Sequence, residues 1–323
     1  MLTIARIFAL SASAFALAAC TNSGGGDGSP DDVQLSSFAT EQPLSTLPAR
    51  TILATNNGVK SIRYGFTGTG AAREPDNIRA NSGQLRPRRF RTTATPGVYD
   101  IRFSVAGSAP FVTARNVDLT TGGPVNVTLP TTNGPVDVEF QAIDGLGLSY
   151  TEAGVWQISP QNNNFVTVKG GYVTGFNTRS VPRSGSATFT GEMLGRYVNK
   201  PENVVSGVTG DVTLTASWAG AGSISGSITN VELTDGAVAG QDLNSFDVLI
   251  SGIAPDGAFD EGGGVTAQAA PGNATDFTAG TNGPIAGNFF GPNAEEVGAQ
   301  FRVIEDAGGA NARALTGAIA AKQ

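Results

Sequence analysis

Short segments with strand character, separated by turn residues, repeat along the C-terminal half of this 323-residue chain. The 44 glycines, the abundant threonine and valine, and only two methionines favour strands and tight turns over helices. No stretch has the pattern of a long amphipathic helix. Eight to ten strands at this spacing predict an antiparallel barrel or sandwich. The segments are 153–158, 165–176, 186–197, 211–218, 223–233, 246–250, 265–269, 284–290, 297–304 and 313–320.

A second strand-rich region lies between residues 46 and 145. Residues 98–105 alternate apolar with polar side chains, as a strand with one buried face does. Segments 112–119, 125–129 and 136–140 follow, separated by Thr-Gly-Gly-Pro and Asn-Gly-Pro turns. We therefore predict a small β domain over residues 46–145, with an arginine-rich loop at 68–92, and the barrel over 146–323.

The chain begins with the pattern of an export signal. Arg6 precedes an apolar run that ends in Leu17-Ala18-Ala19-Cys20, and this run is shorter than the roughly 20 residues of a membrane span. The triplet before Cys20 resembles the lipobox of bacterial lipoproteins, in which the cysteine is acylated. An ordinary signal peptide that happens to contain a cysteine is the alternative. We predict a signal peptide at 1–19, lipid attachment at Cys20 and a flexible tether at 20–45, where Gly, Ser, Pro and Asp dominate.

The composition excludes several functions. The chain has no histidine, so Ser-His nucleophilic systems, typical zinc sites and axial haem ligation are absent. With no paired carboxylates in an obvious arrangement, we expect no enzyme, no cofactor and no metal site. Cys20 is the single cysteine, so no disulfide forms within the chain. The net charge of −7 argues against nucleic-acid binding, and the acidity lies in the C-terminal half.

An outer-membrane barrel is the alternative to a soluble one. Such barrels need strands of roughly ten residues and aromatic girdles. Aromatic residues make up only 7% of this chain, and several of its strand segments are shorter. An acylated Cys20 would also be redundant in a barrel that is itself inserted. We therefore predict a soluble, lipid-anchored barrel.

Residues 283–301 combine features of a tight hairpin. Ile285, Phe289 and Phe301 can point inward, and Gly287 permits close approach of a neighbour. The sequence Gly291-Pro292-Asn293 predicts a sharp reversal before the next strand.

This segment resembles the signature hairpin of the β-barrel domain in transferrin-binding protein B and related Gram-negative surface lipoproteins. Segments 185–191 and 223–230 resemble two further strands of that family, in the same order. Ala299 departs from the family pattern, which has glycine there. We interpret the matching residues as structural, since glycines and aromatics of this kind mark crowded strands and turns. They are Gly287, Phe289, Phe290, Gly291, Pro292, Ala294, Glu296, Val297, Gly298 and Phe301.

The resemblance implies an all-β protein in which a small handle-like β domain precedes an eight-stranded antiparallel barrel. It further implies a lipoprotein of the cell outer membrane, facing the cell surface, that binds a soluble protein or small solute. Iron or metal acquisition, an iron-carrier protein as ligand and an outer-membrane transporter as partner are what the family suggests. A structural or adhesive envelope lipoprotein without a discrete ligand is the alternative. Only one barrel is present, whereas transferrin-binding proteins have two lobes.

Three other groups of residues are candidates for binding. Arg86, Arg88, Arg89 and Arg91, with Arg73 and Arg79 nearby, could dock an acidic protein, a phosphate or lipopolysaccharide, or could simply be solvated. Asp256, Asp260 and Glu261 offer oxygen ligands for calcium, but without EF-hand spacing, so a plain acidic turn is the alternative. The aromatic residues could be contact residues, but they are expected mainly in the barrel core or at its rim: Trp156, Trp218, Tyr150, Tyr172 and Tyr197.

Overall fold

The computed structural model describes residues 32–55, 60–67, 74–81, 86–104, 112–131, 134–160, 166–259, 263–269, 272 and 276–323. These residues form β-strands and short 3-10 turns, and they contain no α-helix. No helix in these ranges has the length and apolar character needed to cross a membrane. The 3-10 turns are Leu35–Ser37, Leu44–Thr46 and Gly236–Val238.

Two sheets precede the barrel. Their strands are β1 Val33–Gln34, β2 Thr51–Ile52, β3 Ala54–Thr55, β4 Ser61–Thr67, β5 Glu74–Ala80, β6 Arg86–Thr92, β7 Val98–Ser104, β8 Val112–Asp118, β9 Val125–Leu129, β10 Val136–Ala142, β11 Thr151–Pro160 and β12 Thr167–Gly175. Sheet A has the order β1-β2-β6-β7-β8. Sheet B has the order β5-β4-β12-β11-β10-β9, with β3 beside β12. Neighbouring strands are antiparallel, except that β1 and β2 are parallel.

The remaining strands form a closed barrel. They are β13 Ser186–Asn199, β14 Val204–Ser217, β15 Ser223–Leu233, β16 Phe246–Ser251, β17 Ala258–Phe259, β18 Gly263–Ala267, β19 Asn282–Phe290, β20 Glu296–Glu305 and β21 Arg313–Lys322. Eight of them follow one another around the barrel as β13-β14-β15-β16-β18-β19-β20-β21, and β21 pairs with β13 to close it. The short β17 pairs with one end of β19. The prediction of an all-β fold with an eight-stranded antiparallel barrel is confirmed.

Sheet B lies between sheet A and the barrel, so its central strand is covered on both faces. Every residue of β12 is buried. On one face, Tyr172 stacks on Phe90 of sheet A, with ring centroids 5.1 Å apart. On the other face, Val173 packs with Phe290 and Ala318 of the barrel. A strand enclosed in this way shows a continuous apolar pattern rather than an alternating one.

Two strands belong to a different sheet from the one that the sequence indicated. Segments 153–158 and 165–176 were predicted as the first barrel strands, but they correspond to β11 and β12 of sheet B. β11 pairs with β10, and β12 pairs with β4, which comes about a hundred residues earlier. The first barrel strand is therefore β13. Strand character is a local property, whereas the choice of partner strand depends on distant parts of the chain.

The prediction of an arginine-rich loop at 68–92 is wrong where the structure describes those residues. β5 and β6 lie in this stretch. In β6, Pro87, Phe90 and Thr92 are buried while the arginines between them are more exposed. The register shifts between Pro87 and Arg89, which marks a β-bulge. The extra residue interrupts the two-residue alternation, and this hides the strand from sequence analysis. Residues 68–73 and 82–85 lie outside the described ranges.

The second half of the predicted tether belongs to the folded body. Residues 32–45 contain β1 and part of the 3-10 structure, and Leu35, Phe38 and Leu44 pack against the core between sheets A and B. The Arg179 guanidinium donates hydrogen bonds to the backbone carbonyls of Leu35, Phe38 and Ala39. Apolar residues this sparse do not give a periodic pattern, so their burial becomes visible only in the tertiary structure. The signal peptide, Cys20 and the tether up to residue 31 lie outside the described ranges.

Candidate functional site

The interior of the barrel is filled by side chains. Phe289 contacts the rings of Phe189, Trp218 and Phe259 at centroid distances of 5.5, 4.8 and 5.9 Å. Around these rings, valine, leucine and isoleucine side chains from all of the barrel sheet complete one apolar cluster. Eight-stranded barrels have an interior just wide enough for such packing. Sites for a ligand on the described part of the chain must therefore be sought on the outside of the barrel and on the preceding sheets.

The hairpin of β19 and β20 contains the residues that carried the family resemblance. Phe289, Val297 and Phe301 lie inside the barrel. Phe290 faces the other way and packs against sheet B. The turn between the strands places Gly291 at φ 84° and Ala294 at φ 59°, both in the left-handed region. Pro292 lies within this turn, as its reversal requires.

Two glycines of the hairpin leave room for neighbouring groups. A Cβ at Gly298 would lie 2.5 Å from Val173 Cγ1 of sheet B, and a Cβ at Gly287 would overlap the carbonyl of Gly298 and the ring of Phe259. Any larger residue at these positions would push β20 away from β12 or push Phe259 out of the barrel core. The two glycines therefore serve packing in this structure.

Glu296 joins the barrel to the segment that leads into β11. Its carboxylate accepts hydrogen bonds from the backbone N–H groups of Ser149 and Tyr150, the latter at 3.0 Å. The residue is 4% exposed, and burial raises the pKa of its carboxyl, an effect that the backbone donors partly offset. A carboxylate bound to backbone N–H groups acts like a helix N-cap and satisfies donors that would otherwise be buried without partners.

Further polar contacts connect sheet B with the barrel. Arg196 of β13 donates to the side chains of Glu139 and Gln141 on β10. Lys200 pairs with Asp76 of β5 at 2.7 Å. The side chain of Arg196 is largely buried, so removing Glu139 would leave its charge without this partner, whereas the Lys200–Asp76 pair is partly exposed and contributes less.

The predicted arginine cluster lies on the outer face of sheet A. Because Pro87 and Phe90 point into the core, Arg89 and Arg91 lie on the opposite face of β6. Arg88 is exposed beside the bulge, and Arg86 is half-buried. Burial, together with the nearby charge of Arg88, lowers the pKa of Arg86. Like charges are thus gathered rather than dispersed along this strand.

One member of the predicted cluster is neutralised within the protein. Arg91 pairs with Asp100 at 2.7 Å and with Asp32 at 3.1 Å. Asp32 also accepts a bond from Arg50 at 3.3 Å. Arg91 therefore stabilises sheet A where β1, β2, β6 and β7 meet, and its guanidinium is occupied. It is the least suited of the four arginines to bind a ligand.

Two arginines that the sequence analysis did not single out extend the cluster. Arg102 of β7 lies directly opposite Arg89 in the pairing of β6 with β7. Arg115 is exposed on the neighbouring strand β8. Residues directly opposite on antiparallel strands have Cβ atoms about 5 Å apart, and like charges there are destabilising. The alternation of β7 was the signal that could have placed Arg102 on this face, whereas a β-bulge at Arg115 and Asn116 interrupts the alternation of β8.

We call Arg86, Arg88, Arg89, Arg102 and Arg115 the arginine face. It occupies three adjacent strands of sheet A in a protein whose net charge is −7. A guanidinium presents a planar fork of donors that matches carboxylate and phosphate oxygens, so this face is chemically suited to an anionic partner. In the described residues, no group of three or more Asp, Glu or Cys side chains is arranged to hold a metal ion.

The other candidates from the sequence are placed as follows. Tyr197 and Trp218 are buried in the barrel core, as expected. Trp156 and Tyr172 were expected in the barrel as well, but they are buried in the core between sheets A and B, because β11 and β12 belong to sheet B. Tyr150 is half-buried. Arg79 lies on β5, opposite Arg63 of β4. Asp256 is exposed and accepts a hydrogen bond from the Ala258 N–H. Arg73, Asp260 and Glu261 lie outside the described residues.

Comparison with known proteins gives structural neighbours only, since no family model and no curated protein match the sequence. A variant of transferrin-binding protein B from Haemophilus parasuis has 15% identity and a TM-score of 0.39, covering 85% of this chain and 61% of its own. Transferrin-binding protein B of serogroup B Neisseria meningitidis has 16% identity and a TM-score of 0.42, covering 82% of this chain and 43% of its own. A protein described as a surface lipoprotein has 11% identity and a TM-score of 0.39, covering 81% of this chain and 98% of its own.

The chain is thus similar to transferrin-binding protein B and to surface lipoproteins. It spans 61% of the length of the Haemophilus parasuis protein. The similarity concerns the fold.

Proposed function

We propose that this protein is a lipid-anchored surface lipoprotein of the outer membrane that captures a soluble acidic protein through the arginine face. The observation that carries the proposal is the gathering of Arg86, Arg88, Arg89, Arg102 and Arg115 on one face of an acidic protein. A patch of one charge sign steers a partner of opposite charge and raises its association rate. An iron-carrier protein is the ligand class that we propose to test first, with an outer-membrane transporter as the recipient of its metal.

The position of the face supports a role in binding rather than in stability. Arg89 and Arg102 lie directly opposite each other on β6 and β7, which concentrates positive charge at this point of sheet A. Arg91, by contrast, has two carboxylate partners within 3.1 Å. Arg88 and Arg89 of the same strand lie at or near the outer surface of sheet A, where a partner protein can reach them.

Charge reversal of the arginine face tests this function. The variant Arg88→Glu/Arg89→Glu/Arg115→Glu should reduce the association rate with iron-loaded transferrin, used as an acidic soluble probe, by at least about tenfold at low salt. Surface plasmon resonance with the full-length protein measures the rate. Arg183→Glu, which changes an exposed arginine near the start of β13, is the control and should leave the rate unchanged.

The association rate of the wild-type protein with transferrin should also fall steeply as the salt concentration rises. The reason is that exposed charges are screened over roughly 10 Å at 0.1 M ionic strength. If neither transferrin nor any other acidic protein from extracellular fluid binds the wild type at low salt, the proposed function is wrong. Binding that is equal in the wild type and the charge-reversed variant would also contradict it, because the arginine face would then play no part.

A further inference from the structure

A preformed groove lies on the barrel where three loops meet. Its walls are residues 180–183 before β13, residues 218 and 220–222 between β14 and β15, and residues 253 and 255 after β16. The groove has a volume of about 380 Å³. This is within the range of sites for small molecules, which is about 300–1,000 Å³.

Backbone hydrogen bonds hold the three loops against one another. Val181 N–H donates to the Pro255 carbonyl at 3.1 Å, and Ile253 N–H donates to the Ala221 carbonyl at 2.9 Å. Trp218 N–H donates to the Gly185 carbonyl at 3.0 Å. Because these bonds connect all three loops, the walls are in place before a ligand arrives, and binding loses little entropy in ordering them.

The lining of the groove is largely apolar. Trp218 is 6% exposed, and its ring packs edge-on against Phe289 of the barrel core. Val181, Pro182 and Ile253 are half-buried around it. Aromatic and aliphatic linings of this kind bind the apolar body of a ligand, while a small number of polar groups fix its orientation.

Arg183 is the charged side chain among the residues that line the groove, and it is exposed. The other polar side chain of the lining is that of Ser180. The nearby Arg179 is already engaged, because its guanidinium donates to three backbone carbonyls of residues 35–39. Asp256 lines a separate cavity together with Phe176 and Arg179.

We propose that the groove binds a small amphipathic carboxylate. The apolar body of the ligand lies against Trp218, Val181 and Ile253, and its carboxylate pairs with the guanidinium of Arg183. A guanidinium accommodates a carboxylate with two parallel N–H···O bonds, whereas a neutral ligand leaves this fork unused and a cation is repelled. This site is separate from the arginine face, so it does not depend on the proposed function.

Titration of the full-length protein with decanoate and with decanol, each below its aggregation limit, tests the site. The two probes share an apolar chain and differ in charge. Isothermal titration should show saturable decanoate binding, with decanol at least about tenfold weaker. Decanoate should also change the intrinsic tryptophan fluorescence, because Trp218 is one of two tryptophans in the chain and lines the groove.

Two variants separate the contributions of charge and apolar contact. Arg183→Gln should lower decanoate affinity about tenfold while leaving decanol unchanged. Ile253→Ser should weaken both probes. Arg79→Gln, which removes an exposed arginine of β5 outside both proposed sites, is the matched control and should bind both probes like the wild type.

Absence of saturable decanoate binding to the wild type would overturn the proposal. Equal decanoate affinity in the wild type and Arg183→Gln would overturn it as well, since the carboxylate would then lie elsewhere. Arg183 is exposed, so its substitution is not expected to disturb folding, and circular dichroism of the variant verifies this. Capture of an acidic protein by the arginine face is measured independently and should be unaffected by Arg183→Gln.

Discussion

Glu152 of β11 is an acidic residue whose carboxyl lies in the interior between sheets A and B. Burial raises the pKa of this carboxyl to about 8, and the negative charge of Asp144 contributes to the rise. A hydrogen bond with Tyr99 of β7 opposes it. Because the protonated form is favoured in the folded state, part of this group remains uncharged at neutral pH.

The raised pKa of Glu152 predicts a specific dependence of stability on pH. The folded-state pKa is above the ordinary value of 4.5, so the contribution of this group to stability is greatest below pH 4.5 and is lost as the pH rises towards 8. Glu152→Gln cannot ionise and should not show this loss. Its free energy of unfolding, relative to wild type, should increase by at most about 1.4 kcal/mol per pH unit over that interval.

Urea denaturation at pH 5, 7 and 9 measures this difference. Glu192→Gln is the control, because Glu192 is exposed on β13. If the free energies of unfolding of the wild type and Glu152→Gln differ by the same amount at all three pH values, the prediction is wrong, because the Glu152 carboxyl is then not shielded from water.

Lys169 of β12 is the basic counterpart of Glu152 on the opposite face of sheet B. Burial lowers the pKa of its ammonium group to about 7, and the nearby charge of Arg196 adds to this effect. Its ammonium group lies 5.7 Å from the centre of the Tyr64 ring. Its folded-state pKa lies below the ordinary lysine pKa of 10.5, so the effect of pH on stability is opposite to that of Glu152. As the pH falls from 10.5 towards 7, Lys169 lowers the free energy of unfolding.

At the level of the elements, β12 determines how closely sheet B can approach the barrel. Gly171 of β12 faces Gly317 of β21, and a Cβ at Gly171 would overlap the backbone carbonyl of Gly317. The neighbouring contacts on this side of β12 are Lys169 with Tyr64, and Val173 with the barrel residue Phe290. The absence of a side chain at Gly171 therefore allows the two layers to meet.

Gly171→Ala should separate sheet B from the barrel. The overlapping atoms belong to the backbone of a closed barrel, which moves less readily than a side chain, so the expected loss of stability is at least about 2 kcal/mol. Gly123→Ala is the matched control, because no atom lies within 4 Å of the position of its Cβ. Chemical denaturation measures both variants, and equal stability would contradict the close approach of the two layers.

The bulge in β6 shows why part of this architecture escaped prediction from sequence. β16 alternates regularly, and its predicted segment 246–250 agrees with the observed strand Phe246–Ser251. β14 alternates only in its second part, so the predicted segment 211–218 misses its first seven residues. In β6 an additional residue near Arg88 breaks the alternation, so the sequence pattern predicts a loop where the structure has a strand. A strand can be inferred from sequence only where its period is uninterrupted.

At the scale of the whole molecule, the folded body consists of three layers: sheet A, sheet B and the barrel. Its charge is unevenly distributed, with the arginine face on sheet A and the acidic residues concentrated beyond residue 150. The barrel interior is closed by packing, so the proposed binding surfaces lie on sheet A and on the barrel loops. An anchor at Cys20 would place this body at a membrane surface.

Replacement of the acylation site tests that anchor. Cys20→Ser removes the thiol, and we expect the protein to move from the membrane fraction to the soluble fraction, since a serine cannot carry the thioether-linked lipid. Thr21→Ser is the control and should remain membrane-bound. Fractionation followed by immunoblotting measures the distribution. Protease treatment of intact cells, with detection of the released body, tests exposure at the surface. An unchanged membrane fraction for Cys20→Ser would show that the protein is not held by this lipid.

The sequence by itself determined the strand content and the signature hairpin, because alternation, glycine turns and a local motif such as Gly291-Pro292 are properties of neighbouring residues. The strand pattern left a barrel and a sandwich both possible, and the barrel is closed by pairing of β13 with the distant β21. The tertiary structure decided which sheet β11 and β12 join and which arginines share a face, since these depend on pairing between residues far apart in the chain. It also decided that Arg91 is neutralised while Arg89 faces Arg102. The groove beside Trp218 arises in the same way, because backbone hydrogen bonds bring together three loops that are separate in sequence.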